Sequence, residues 1–295
     1  MKKYIYQLFR KFGYRISNES KRKKELMDLV KSYGIDKDYN NLTFRAISYY
    51  NKIKDHYPTI IIKSHKQGVI IEIENLKLYL ESPEEFYIVK EVFVEKDYNF
   101  LADNKFVVFD IGMNIGISSL FFSLNKNIDK IYSFEPVLTT YNQALYNLGL
   151  NTKNSNKIET FNFGLGGSTR MEKVLYNSQA KGNCGIRLGL SPSIDIDNSK
   201  EIEIEIKAVE EILPELLGQH LNQKIVFKID CEGAEYEIIE KLSSENLLNI
   251  IDMLLIEWHD KGPKMIEEVL INYNFIIISR VFSPISGMIY AFKKE

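Results

Sequence analysis

Apolar and polar positions change their period along the chain. Near the start, Ile5, Leu8, Phe9 and Phe12 recur at helical spacing among Lys2, Lys3, Arg10 and Lys11, which predicts a short basic amphipathic helix. Two more helices are expected, from Ser20 to Tyr33 before Gly34 and from about Leu42 to His56 before Pro58, where breakers stop the helical pattern. Gly68 to Leu80 alternates as two short strands around Glu74-Asn75, the pattern of a hairpin. Ser82-Pro83-Glu84-Glu85 then supplies a cap residue, a proline at the first helical position and a glutamate at the third, so a helix starts there.

From Lys105 onward, β-rich apolar runs alternate with helical patterns, as a parallel sheet with crossover helices requires. Seven strands are predicted, at Phe106 to Ile111, Ile131 to Glu135, Lys157 to Phe163, Ile225 to Asp230, Met253 to Trp258, Phe275 to Val281 and Met288 to Phe292. Helices are expected after the first, second, fourth and fifth, near Ile115 to Leu124, Leu138 to Leu148, Tyr236 to Leu242 and Lys264 to Ile271. Ser168 to Glu205 is richer in Gly, Ser and Asn and reads as an insertion, an antiparallel ribbon and loop between the third and fourth core strands. The fold class is therefore α/β, with a helical N-terminal appendage.

Charge adds an asymmetry. The 295 residues carry a net charge of -2. Residues 1–31 hold ten basic and three acidic side chains, a surplus of +7 that leaves -9 for the remainder. An acidic remainder offers no electrostatic attraction to nucleic acid, and none is expected as a partner. No apolar run approaches the ~20 residues of a membrane-spanning helix. Arg10-Lys11 interrupts the apolar stretch a secretory signal would need, so a cytoplasmic protein is expected. Residues 1–31 leave peripheral contact with the inner face of a membrane open, but docking of the first helix on its own domain or on a second subunit is the favoured reading. Oligomeric state stays open. Cys184 and Cys231 lie in no metal-like spacing and are expected to be reduced.

The chemistry concentrates at strand ends. Phe106-Val107-Val108-Phe109-Asp110-Ile111-Gly112-Met113-Asn114-Ile115-Gly116 is a buried strand ending in a carboxylate, followed by glycines that permit a tight turn and close approach of a ligand. A pyrophosphate wants bare amides at a helix N-terminus. Asp110 suits a cationic ligand instead, with Asn114 as a further hydrogen-bonding group. Nineteen residues beyond Gly116, Glu135 ends the second strand, where a carboxylate meets the two hydroxyls of a ribose. A turn for an ammonium and sulfonium group followed by a ribose acid describes S-adenosylmethionine. Asp110, Gly112, Asn114, Gly116 and Glu135 are the expected cofactor residues.

A second group lies in Phe227-Lys228-Ile229-Asp230-Cys231-Glu232-Gly233-Ala234-Glu235 and Met253-Leu254-Leu255-Ile256-Glu257-Trp258-His259-Asp260. Ligands of open α/β sheets bind beyond the carboxyl ends of the strands, so these acids should face the same crevice. His259 is the expected base, and Asp230 or Glu232 accepts a proton or orients the acceptor. Asp230 and Glu257 would suit magnesium, but no metal is predicted. Glu235 and Asp260 read as helix caps, His56, His65 and His220 as solvated surface, and Gly164-Leu165-Gly166-Gly167 as a turn near the adenine.

Taken together, Val108 to Gly116, Phe134-Glu135-Pro136, Lys228 to Glu235 and Ile256-Glu257 resemble the FkbM-type S-adenosylmethionine-dependent methyltransferases. The resemblance covers roughly residues 65 to 292. It implies a Rossmann-like class I methyltransferase sheet of seven strands with the last antiparallel, and O-methylation of a hydroxyl on a sugar, glycoconjugate or related natural product. Residues 1–64 then form a helical, basic N-terminal region and 65–295 the methyltransferase domain. Two departures stand out. Met113 replaces a small residue usual inside the turn, and Ala208-Val209-Glu210 stands where Thr-Leu-Asp is more usual. A nicotinamide-dependent oxidoreductase is a second enzyme reading, opposed by Asp110 before the glycines and by the missing third glycine. A non-catalytic methyltransferase-fold subunit that recruits a glycan-biosynthesis complex to the membrane is the third, opposed by the presence of Asp110, Glu135 and Asp230.

Overall fold

Every residue of Phe106–Ile111 is buried, and this segment forms β4 at the centre of the molecule. In the computed structural model the described residues are 19–32, 35, 40–101, 104–184, 199–220 and 222–294, so the basic helix expected over residues 5 to 12 lies outside them. Around β4 lie β5 (Ile128–Phe134), β6 (Ile158–Phe161), β10 (Lys224–Ile229), β11 (Met253–His259), β12 (Phe275–Ser283) and β13 (Ser286–Lys293). They form a seven-stranded sheet in the order β12-β13-β11-β10-β4-β5-β6. Only β13 is antiparallel to its neighbours, β11 and β12. The strand order reverses direction between β4 and β10, which puts a crevice at their carboxyl ends. All seven predicted strands are present, with the antiparallel last strand that the family resemblance implies.

Alternation along these strands divides the interior in two. Val108, Ile131, Val226 and Leu255 point to one face and join a cluster with Val30, Ile53, Ile71 and Phe86 from the N-terminal elements. Phe109, Phe227, Ile256 and Ile289 point to the other, against the helices on either side of β10 in sequence and the one that follows β11. A strand covered on both faces needs an almost continuous apolar run, which is why β4 and β10 stand out in the sequence.

The first face is covered by α1 (Glu19–Ser32), α2 (Asn40–His56) and an antiparallel sheet of β1 (Ile61–His65), β2 (Gly68–Ile73) and β3 (Leu76–Leu80). Thr43, Ala46, Ile47, Tyr50 and Ile53 are the buried stripe of α2. Glu74 and Asn75 both take positive φ, 49° and 66°, as a two-residue hairpin turn demands. β1 is a strand that the sequence reading omits, because Ile60-Ile61-Ile62 does not alternate. The cap at Ser82 forms as expected, its hydroxyl accepting from Glu85 N at 3.3 Å to start α3 (Pro83–Val89). α3 runs into a wider π-helical turn, Lys90–Glu95, which ends at Lys96 with φ 58°.

On the second face, α7 (Glu235–Ser244) and α8 (Lys264–Asn272) occupy their expected places, as do α4 (Ile117–Ser123) and α5 (Leu138–Gly149) elsewhere in the sheet. α6 (Val209–Gly218) was not expected, since Pro214 sits inside it. Its buried Val209, Leu213 and Leu217 outweigh the lost backbone hydrogen bond. The insertion does contain an antiparallel ribbon, β8 (Arg170–Tyr176) with β9 (Lys200–Ala208). Gly164–Gly166 is not a turn but a short strand, β7, parallel to β9; a Cβ on Gly164 would meet Ile206 at 2.7 Å. No helix among the described residues is long and apolar enough to cross a membrane.

Candidate active site

A cavity of about 290 Å³ lies at the carboxyl ends of β4, β5, β10 and β11, lined also by α3 and by Lys181, Gly182 and Cys184 of the insertion. The turn after β4 forms one end. Gly112 and Met113 donate their amides to Phe134 O, both at 3.0 Å, which ties the turn to the tip of β5. Gly112 has φ +81°, and a Cβ there would fall 1.8 Å from Asp230 O, so no other residue fits this crossing of β4 and β10. Gly116, at φ +85°, turns the chain into α4. Asn114 N donates to Glu135 Oε2 at 3.1 Å, and Val137 N to Glu135 Oε1 at 2.9 Å. Burial nevertheless pushes the Glu135 carboxyl up to about 7.

The structure brings Gly112, Asn114, Glu135, Asp230, Glu232 and His259 to the cavity wall, but not Asp110 or Gly116. Asp110 is fully buried behind the turn. Its Oδ2 accepts from Ser118 at 2.7 Å and Ser119 at 2.5 Å. Its cation belongs to the chain itself. Lys228 stands opposite Asp110 in the β10–β4 register, and its ammonium lies 3.2 Å from Asp110 Oδ1 and 3.4 Å from Asp230 Oδ2. It also donates to Gly112 O at 2.6 Å. Burial alone would lower this lysine's pKa, but Asp110 and Asp230 outweigh it and keep the ammonium charged. Lys228 thus locks the glycine turn to the tip of β10. The sequence carried a signal for it: a lysine among Val226, Phe227 and Ile229 in a buried strand demands acids beside it.

At the other end, Tyr98 donates to Asp230 Oδ2 at 2.9 Å, with Glu257 Oε2 3.3 Å away. Burial would raise the Asp230 carboxyl, but Lys228, His259 and Tyr98 together hold it below its usual range. Glu257 and Glu91, from the π-helical turn, are each pushed up to about 8, first by burial and then by neighbouring acids. His259 is fixed from behind. Glu235 Oε1 accepts its backbone N at 2.7 Å and lies 3.2 Å from Nδ1, while Oε2 accepts Gly233 N at 2.7 Å. Nε2 therefore turns to the cavity, 3.7 Å from Glu232 Oε1 and from Glu257 Oε1. Burial disfavours the imidazolium, yet Glu235, Asp230 and Glu257 hold its pKa above the ordinary histidine value.

Several residues that no motif announces complete the site. Lys181, from the insertion, is buried and lies 2.9 Å from both Glu85 Oε1 and Glu81 Oε2. Gly182 N donates to Glu84 Oε2 at 3.2 Å, and burial pushes Glu84 up to about 7. Glu91 and Tyr98 reach the cavity only through the tertiary fold. His65 and His220 are not solvated as expected: they are half-buried and bonded to Tyr146 OH at 2.5 Å and Tyr132 OH at 2.9 Å. Cys184 and Cys231 are free thiols in the cavity wall, and burial pushes Cys184 up to about 12.

Comparison with known proteins bears on this arrangement. The family described as methyltransferase FkbM domain matches residues 110–277, which span the glycine turn, both groups of strand-tip acids and the insertion. Methyltransferase sdnD of Sordaria araneosa is 27% identical over 232 residues, covering 70% of this chain and 89% of that protein. Methyltransferase 1 of Beauveria bassiana is 26% identical over 188 residues, covering 59% of this chain and 73% of that one. The solved structure of methyltransferase FkbM from Methylobacillus flagellatus aligns with a TM-score of 0.41 at 14% identity, over 92% of this chain and 59% of its own. With more than half of its length matched by the family, this chain belongs to the FkbM methyltransferases.

Proposed function

We propose that the protein is an S-adenosylmethionine-dependent O-methyltransferase whose acceptor is a hydroxyl of a sugar, glycoconjugate or related natural product. The observation that carries this reading is the division of one cavity between a rigid turn with a ribose acid and a histidine whose Nε2 faces the space between them. The residues present fit the cofactor. Asn114 Oδ1 is buried with no hydrogen-bond partner among the described residues, and it waits in the cavity wall for a donor. Glu135 has lone pairs left on both oxygens for ribose hydroxyls.

When bound, S-adenosylmethionine supplies an electrophilic methyl group. The chain's own residues supply position and a place for the proton. Asp110 works through Lys228 and the turn rather than by touching the ligand. His259 Nδ1–H points at Glu235, so Nε2 carries the lone pair and takes the proton that the acceptor hydroxyl sheds. Asp230 and Glu232 orient that hydroxyl. Calorimetry with S-adenosylmethionine and S-adenosylhomocysteine tests the cofactor half, and binding of neither at millimolar concentration removes it. Mass spectrometry of glycans and small metabolites from a deletion strain tests the acceptor half. A lost methyl on oxygen supports it, and a lost methyl on nitrogen or carbon overturns it.

A further inference from the structure

Lys181 belongs to the insertion, yet its ammonium is caged by the framework that carries the cofactor turn. Beyond β8, Asn177 Oδ1 accepts from Gln179 N at 2.9 Å and Asn177 O from Ala180 N at 3.0 Å, which bends the chain into a single 3₁₀ turn at Lys181–Asn183. The Lys181 side chain is 4% exposed. Its Nζ lies 2.9 Å from Glu85 Oε1 on α3 and 2.9 Å from Glu81 Oε2 just before that helix, and it donates to Gln143 Oε1 on α5. Gln143 Nε2 in turn donates to Glu85 Oε2 at 2.9 Å, and Asn147 Nδ2, one turn further along α5, donates to Ile115 O at 3.0 Å. The cage is thereby tied to the turn after β4. Burial would lower the lysine's pKa, but Glu85 and Glu81 outweigh it and keep the ammonium charged. Burial also raises the Glu85 carboxyl against the pull of Lys181. The cage does not depend on that charge, because a neutral carboxyl still offers an oxygen and the partly exposed Glu81 supplies the countercharge.

The residues that follow Lys181 face the cofactor half of the cavity. Gly182 N donates to Glu84 Oε2 at 3.2 Å, and a Cβ on Gly182 would lie 3.4 Å from Asn114 Nδ2. Cys184 lines the same cavity, close enough to Glu135 for that acid's charge to act on its thiol. These contacts are light. The strong attachment is Lys181, since withdrawing it would leave the fully buried Glu85 without its cation and Gln143 Oε1 without its donor. We propose that Lys181 is a positioning residue for the cofactor: by pegging the insertion to α3 and α5, it holds residues 181–184 against Asn114 and Glu135 and so sets how long S-adenosylmethionine stays bound. The effect on the cofactor rests on the S-adenosylmethionine reading above; the anchoring of the insertion does not.

The test uses the intact chain, S-adenosylhomocysteine and N-ethylmaleimide, with circular dichroism as a check of folding. In Lys181→Met without ligand, Cys184 should be alkylated about tenfold faster or more, read by peptide mass spectrometry, since hydrogen bonds to a charged group are worth at least that factor. Isotopically labelled S-adenosylhomocysteine should dissociate faster by a similar factor while its association does not slow, a split that general loss of folding does not produce. Glu84→Ala, which removes the acceptor of the Gly182 amide, should move both rates in the same direction by a smaller factor, and it carries the test if Lys181→Met does not fold. Unchanged alkylation in both variants overturns the anchoring. Faster alkylation with unchanged dissociation overturns the role in holding the cofactor. If the unaltered chain binds no S-adenosylhomocysteine, the cofactor reading fails and takes the cofactor role of Lys181 with it, while alkylation still decides whether Lys181 anchors the insertion.

Discussion

The two ends of the cavity use carboxylates at strand tips in opposite ways. At the β4–β5 end, the chain supplies partners. Asp110 has two serine hydroxyls and Lys228, and Glu135 has two backbone amides. At the β10–β11 end, Glu257 and Glu91 stand near each other and near Asp230, and both are held well above the ordinary glutamate range. The first end is built before any ligand arrives. The second stores unfavourable electrostatics that a proton or a cation relieves, which suits a place where a proton must be taken up during reaction.

Lys228 joins the two ends, so removing it should do the most damage. Lys228→Met leaves Asp110 and Asp230 facing each other without a cation, and loss of one partner from a buried pair costs about 3–5 kcal/mol. Urea denaturation should show that loss, and the second substitution Asp110→Asn should recover part of it. No change in midpoint for the single variant would mean that the two ends are independent.

His259→Ala should divide binding from chemistry. Loss of a general base slows turnover by about a hundredfold or more, while S-adenosylmethionine affinity stays near that of the unaltered protein. Glu135→Ala should do the reverse. It should weaken cofactor binding by roughly tenfold or more, as expected for charge-assisted hydrogen bonds. Calorimetry beside initial rates distinguishes the two patterns. If both variants lose only thermal stability, the division of the cavity is wrong.

The protonated acids predict the sign of a pH effect. In the folded protein without ligand, Glu84 and Glu135 are pushed up to about 7 and Glu91 to about 8, chiefly by burial. Glu84 faces Glu85 and Lys181; Glu91 faces Tyr87, Lys90, Asp97 and Asp230; Glu135 faces Lys228 and Asp110. Between about pH 5 and 8 the folded state therefore holds protons that the unfolded chain has released, and stability falls as pH rises. Asp230 has the opposite sign but acts below about pH 4, outside this window. The urea midpoint should drop across the window, and Glu84→Gln with Glu91→Gln should flatten the slope. A midpoint that climbs instead would show that these acids are ionised in the folded protein.

Strand-borne features were legible in the sequence because a two-sided sheet imposes long apolar runs and places chemistry at their ends. That logic located Gly112, Asn114, Glu135, Asp230, Glu232 and His259 at one cavity. It misplaced the contact made by Asp110, whose counter-ion is Lys228 on the neighbouring strand; a parallel register is invisible until the strand order is known. It also missed Glu91, Tyr98 and Lys181, which come from a π-helical turn, a loop and an insertion and reach the site only by packing. Pro214 hid α6 by a local rule that burial of Val209, Leu213 and Leu217 overrode.

Tyr98 offers the finest adjustment between the two ends. Its hydroxyl donates to Asp230 at 2.9 Å, and its ring lies 5.2 Å from the Lys228 ammonium. Tyr98→Phe keeps the ring and removes one hydrogen bond, at a cost of about 1 kcal/mol because the phenol's own desolvation disappears with it. Asp230 would retain Lys228 and stay ionised, so cofactor binding should be unchanged and turnover should fall only a few fold. A loss of turnover as large as that of His259→Ala would mean that the proton leaves through Tyr98 and Asp230 instead, and the base would then sit just beyond β10 rather than on β11.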